Sequence, residues 1–230
     1  MTRGLLLAGL LLLGACGSSP PAEPPPAPRC YHCAEVLDDP AAEACAACTA
    51  EAILRPDEAV AARRRAEAAL WGRFRLRIPR GVHASLTLLE LDDLRSLAGE
   101  GGQHLLAFTE VEELLRGGEP VDLAFRVYLA RGTPASWAAG ILAHELFHVW
   151  QTLQGGGPSQ ADAFREGAAQ YVQHEVLEQL GATKWARRVA HDPDPVYGDG
   201  LRRFRALVLA EGEQRALELA GRERDFPSGY

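Results

Sequence analysis

The sequence has no segment long and apolar enough to cross a bilayer. Its one strongly apolar run, Leu5 to Leu13, is short, and a spanning helix needs about 20 residues. A basic excess is also missing. The 24 Lys and Arg are outnumbered by 31 Asp and Glu, for a net charge of −7, and no basic stripe stands out, so nucleic acid is not an expected partner. No internal repeat is visible, which argues against a solenoid or propeller. The four cysteines beyond the N-terminal region have no thioredoxin-like βαβ pattern around them, so a redox role is not assigned to them. What is left is enough chain for one domain with a real core.

The first residues read as a leader. Met1-Thr2-Arg3 precedes the apolar run, which suits the h-region of an export signal. The run ends Leu13-Gly14-Ala15-Cys16. This resembles a bacterial lipoprotein signal, which implies cleavage after residue 15 and acylation of Cys16; a plain secretory signal is the alternative. Acyl chains would hold the protein on a membrane surface without spanning it. The expected location is the bacterial envelope, on the periplasmic or surface side. Gly17 lacks the acidic character that often signals inner-membrane retention, so the outer membrane is favoured. Residues 16–29 include "GSSPPAEPPPAPR", a proline-dense semi-rigid spacer.

Cys30, Cys33, Cys45 and Cys48 form two C-x-x-C pairs, "CYHC" and "CAAC". Four thiolates so spaced can hold one structural Zn²⁺ tetrahedrally, and residues 30–48 would then form a zinc-ribbon or LIM-like knob. Cross-paired disulfides are the alternative, since an oxidising exterior favours them.

Thr49 to Trp71 reads as a connecting helix and Arg73 to Ile78, "RFRLRI", as a strand. Strands are also expected at Ser85–Leu89, His104–Phe108 and Asp122–Leu129, with a short helix at Leu91–Leu97. After Arg131 the chain turns helical. "GTPASWAAGILAHELFHVWQTLQGG" carries Thr133 as a cap and Pro134 in the first turn, and glycines end it. Further helices are expected at Gln160–Leu180, Thr183–Val189 and Leu201–Leu219. The fold class is therefore α+β, a small sheet followed by helices.

"AHELFHVW" places His144 and His148 one helical turn apart on one face, where both imidazoles can reach one ion. Glu145 lies beside them, angled away from ligation and suited to take a proton from water that the ion activates. The bland alternative is a helix with buried histidines satisfied by hydrogen bonds. It leaves unexplained a carboxylate in the otherwise apolar "GILAHELFHVW"; a buried charge needs a partner, and a metal supplies one. A catalytic zinc needs a third protein ligand. Glu166 in "FREGAAQYV", on the next helix, is the candidate. Gly167 would let helices approach closely, and Asp162 would orient a ligating imidazole.

Three blocks carry a family resemblance: "VYLARGTPASWAAGILAHELFHVWQ", "REGAAQYV" and "DPDPVYGDGLRRF". The chain resembles the peptidase domain of the DA1 family and its bacterial relatives. The resemblance implies a gluzincin-like zinc metallopeptidase domain over 73–230. His144, His148 and Glu166 would be the ligands of a catalytic Zn²⁺, Glu145 the catalytic base, and a peptide or protein the substrate. Plant members also carry ubiquitin-interacting motifs. No such helix is apparent here, so ubiquitin is not an expected partner. Tyr197, in the Pro- and Gly-rich "PVYGDG", is the candidate second donor to the reaction's oxyanion, with Asp199 stabilising the turn. Tyr171 is a weaker candidate, read as core. The competing functional class is a zinc-containing envelope lipoprotein that binds or scaffolds without turnover; Glu145 argues against it, because a binder needs no general base there.

Overall fold

The computed structural model describes residues 27–99, 105–116 and 119–230. The expected signal segment, Cys16 and His104 lie outside the described residues. Within them the chain is a mixed α/β protein with eight helices and one three-stranded sheet. None of these helices is long and apolar enough to cross a membrane.

The sheet comes first in the architecture. Strands β1 (His83–Leu89), β2 (Ala107–Arg116) and β3 (Glu119–Ala130) lie in the order β1-β3-β2. The central β3 pairs in parallel with β1, placing Leu86 opposite Val127, and antiparallel with β2, placing Val111 opposite Phe125. Strand β2 is thus an edge. Helix α3 (Leu91–Ala98) makes the crossover after β1 and buries Leu94 against Tyr128 and Ala130.

Two helices precede the sheet, α1 (Ala46–Ala50) and α2 (Pro56–Phe74). The single helix expected over 49–71 is therefore broken. Pro56 cannot continue a preceding helix but suits the start of a new one, and Glu58 turns back to accept from the Leu54 and Arg55 amides. The strand expected at 73–78 does not form. Helix α2 runs on to Phe74, Arg75 takes a left-handed conformation at φ 60°, and the guanidinium of Arg77 lies 3.8 Å from the Trp71 ring centroid. The alternation of "RFRLRI" reflects arginines folding back over an aromatic ring, not a pleat. The strand expected at 104–108 begins later, at Ala107.

Helix α4 (Ala135–Leu153) is apolar on most sides and packs against α2, α5 and the sheet. Leu142, Leu146, Phe147 and Val149 are fully buried; each such side chain contributes roughly 1.5–3 kcal/mol of burial free energy. Thr133 does not cap this helix. Pro134 holds the cap position, and the buried Thr133 hydroxyl donates to the Ala130 carbonyl at 2.8 Å. Helix α5 (Asp162–Gln179) begins two residues later than expected, because Gln160 folds back to accept from the Gly157 amide and donate to the Ala220 and Glu223 carbonyls. Helix α6 (Thr183–Ala190) follows. The last expected helix is split into α7 (Tyr197–Glu211) and α8 (Glu213–Ala220) by Gly212 at φ +84°, a conformation glycine adopts without steric cost.

The four-Cys segment belongs to the same core. Cys30, Leu37 and Cys48 are buried with the helices' apolar residues. Backbone bonds from Ile53 to Thr133 and from Ala135 to Glu51 tie its far end to the entrance of α4.

Candidate metal centre and cleft

His144 and His148 project from one face of α4, and Glu166 projects from α5 opposite them. The Nε2 atoms of the two histidines are 3.0 Å apart, and Glu166 Oε2 is 3.1 Å from the first and 3.2 Å from the second. His144 and Glu166 are buried, at 7% exposure each. Three donors at the corners of a nearly equilateral triangle suit a cation. Tetrahedral ligands about 2.0–2.1 Å from an ion are about 3.3 Å from one another. Without an ion, two ring nitrogens and a carboxylate oxygen this close present lone pairs to one another, and only protons can relieve that.

The electrostatics say the same. Burial disfavours a charged His148. The Glu166 carboxylate, with Glu145 and Gln151, outweighs this and pushes the imidazole up to about 9. Burial would raise Glu166, yet the two histidines hold its carboxyl far below the ordinary range. The site is built to hold positive charge between these groups.

Supporting residues fix the orientation. His148 Nδ1 donates to Gln151 Oε1 at 2.8 Å, which leaves Nε2 free for an ion. Gln151 is fully buried, and its amide nitrogen reaches the Arg165 and Ala220 carbonyls. Arg165 donates to Glu166 Oε1 at 3.1 Å, so Oε2 is the oxygen turned to the histidines. Asp162 does not orient an imidazole, contrary to expectation. It is exposed and pairs with Arg165 at 3.1 Å, because its place in the first turn of α5 points it to solvent. His144 Nδ1 is buried with no hydrogen-bond partner among the described residues.

Glu145 is held apart from the triad. Its Oε2 accepts from Thr109 Oγ1 at 2.8 Å, so the edge strand β2 anchors the carboxylate. No sequence motif marks Thr109, Gln151 or Arg165 as part of the site. Gln151 left one trace in the sequence, an amide three residues after His148 on an apolar helix; Thr109 left none, since its strand is distant in the chain.

Tyr197 is not on a loop. It opens α7, where Asp194 Oδ1 accepts from the amides of Val196 and Tyr197 at 2.7 and 3.0 Å. Asp199, expected to stabilise a turn, instead lies in the first turn of α7, exposed and paired with Arg202. The Tyr197 ring centroid is 6.3 Å from that of His144. Burial, then the charges of Glu166 and Glu145, raise its hydroxyl above the ordinary range, so it stays a donor. Tyr171 is core. Its hydroxyl donates to Glu213 at 2.7 Å, away from the triad. Gly167 does allow a close approach, but to α7: a Cβ there would meet the Gly200 carbonyl carbon at 2.3 Å.

A cavity of about 850 Å³ joins these groups. Its lining includes Glu145, the triad, Tyr197 and the start of β2, and Tyr31 from the four-Cys segment. That segment holds four free thiols whose sulfurs all lie within 4.8 Å of one another, with Cys33 and Cys45 at 3.6 Å. Thiolates on a tetrahedral ion at about 2.3 Å are about 3.8 Å apart, whereas a disulfide is about 2.05 Å long. Burial opposes ionisation of Cys30, but the amides of Cys45, Cys33 and His32 bring its thiol down to about 6. Both clusters could hold a metal ion.

The chain was compared with family models, curated proteins and solved structures, and none matches.

Proposed function

We propose that the protein is a zinc-dependent peptidase of the DA1-like, gluzincin type. The single observation that carries this reading is the placement of a carboxylate, Glu145, and a three-donor cluster on one cavity beside an edge strand. His144, His148 and Glu166 would hold the ion; two nitrogens and one oxygen are a donor set zinc favours. When bound, zinc lowers the pKa of water and polarises a carbonyl. Glu145, anchored by Thr109, takes the proton from the attacking water and returns it to the leaving amine. Tyr197 donates to the developing oxyanion. Strand β2 offers unpaired backbone groups to an extended peptide. The four cysteines would hold a second, structural zinc. The test is cleavage of a broad peptide library by the full chain. Cleavage should vanish with a chelator and return with zinc; a zinc-loaded protein that cleaves nothing would favour the non-catalytic binding reading.

Two substitutions bear on the cleft. Tyr197→Phe keeps the ring and removes the donor, so kcat should fall by about 10²-fold, the scale of one lost oxyanion donor, with zinc content unchanged. An unchanged kcat removes Tyr197 from the chemistry. Tyr31→Ala takes away part of the cavity wall that comes from the four-Cys segment. It should raise KM several-fold and leave kcat within about twofold, the pattern of lost uniform binding. A fall in kcat alone would show that Tyr31 acts otherwise.

A further inference from the structure

Between residues 63 and 80 the charge balance reverses. This stretch carries seven arginines and one carboxylate, Glu67, in a chain whose net charge is −7. Glu67 is taken by Arg63 at 2.8 Å, and Arg73 pairs with Glu175 and Glu213. Arg64 and Arg80 are exposed and have no carboxylate partner among the described residues. Arg77 lies over the Trp71 ring. Such stacking uses the guanidinium face and leaves its in-plane N–H groups free to donate.

Arg64, Arg77 and Arg80 rim a second cavity, of about 470 Å³. It lies between α2, the segment after it, and α4, and shares no lining residue with the first cavity. Its α4 residues, Leu146, Phe147 and Trp150, sit on a different face of the helix from His144 and His148. Glu67, held by Arg63, also lines it, and only its floor is apolar. Leu76, Ile78 and Trp150 are half-buried there, and Trp71 is exposed at the mouth, at 39%. A cationic rim over an apolar floor is complementary to one kind of molecule, an anion with a hydrocarbon body.

We propose that this cleft binds an amphiphile whose phosphate headgroup carries a net negative charge, with Arg64, Arg77 and Arg80 on the phosphate and Trp71, Leu76 and Trp150 against the alkyl portion. Arginine suits the phosphate, because its planar fork donates bidentately. A solvated arginine surface would explain the charge but not the apolar cavity beneath it. The inference does not depend on the peptidase reading.

Trp71 and Trp150 make tryptophan emission a local reporter, while Trp137 and Trp185 stack together elsewhere. The full chain would be titrated with monomeric dihexanoyl phosphatidylglycerol, dihexanoyl phosphatidylcholine and inorganic phosphate. A saturable emission change is expected with the phosphatidylglycerol, weaker by about tenfold or more with the other two. Trp71→Phe should remove most of the signal. The double variant Arg64→Gln/Arg80→Gln, both surface positions, should weaken binding by about tenfold, the scale of lost charge-assisted bonds, with an unchanged melting temperature. Equal response to phosphatidylcholine, or an unaltered double variant, would reduce the cleft to an apolar patch and overturn the proposal. Equal saturation by inorganic phosphate would overturn the amphiphile assignment, since the floor would then contribute nothing.

Discussion

Glu145→Gln should lower kcat by about 10³-fold, within the 10²–10⁴ range of a lost general base, and leave bound zinc at the wild-type amount. The amide has the carboxylate's shape, and Thr109 Oγ1, 2.8 Å from Oε2, can still bond to its oxygen. Position 145 would therefore stay anchored, and only the ability to accept a proton would go. The triad uses other atoms, with Glu166 Oε2 within 3.2 Å of both histidine nitrogens, so an ion held there would have no reason to leave. Metal analysis and steady-state kinetics on one preparation check both halves. Wild-type turnover with zinc in place would mean that Glu145 is a buried carboxylate held by a threonine and nothing more. Loss of zinc together with activity would make Glu145 part of the metal site instead.

The sequence made some of this legible and hid the rest for physical reasons. His144 and His148 could be placed together because helical period alone puts residues four apart on one face. Glu166 followed from a short connection between two helices. Thr109 and Tyr31 could not be found this way. They reach the cleft through sheet pairing and through the packing of the four-Cys segment, and neither contact has a sequence period. The proline- and glycine-rich surroundings of Tyr197 suggest a loop. The same prolines and Asp194 instead start a helix, an ordinary function for such residues just before a first turn. "RFRLRI" failed differently. Its apolar residues Phe74, Leu76 and Ile78 do pack on the core, but the first is still helical and Arg75 turns left-handed, so burial alternates without a neighbouring strand to pair with, and Arg75 and Arg77 fold over Trp71.

Gly167→Ala should cost at least about 1–3 kcal/mol, the usual range for overpacking, and more if α7 cannot move. The new Cβ would lie 2.3 Å from the Gly200 carbonyl carbon and 2.4 Å from its oxygen. Both partners are backbone, so no side chain can rotate away. Relief must come from α5 and α7 separating. Glu166 is the neighbouring residue on α5, and its Oε2 must stay near 3 Å from two nitrogens on α4. A shift of even half an ångström is a sizeable fraction of such a spacing. The variant should therefore lose zinc affinity as well as stability, by about tenfold or more. Denaturant unfolding of the metal-free protein and a zinc competition titration separate the two effects. Gly200→Ala supplies the control. Its Cβ would meet the Ala163 carbonyl oxygen at 2.4 Å, forcing the same two helices apart from the other side. If both variants lose stability and zinc affinity together, the α5–α7 contact is what holds Glu166 in place. If stability falls while affinity stays, Glu166 is positioned by Arg165 and the histidines alone.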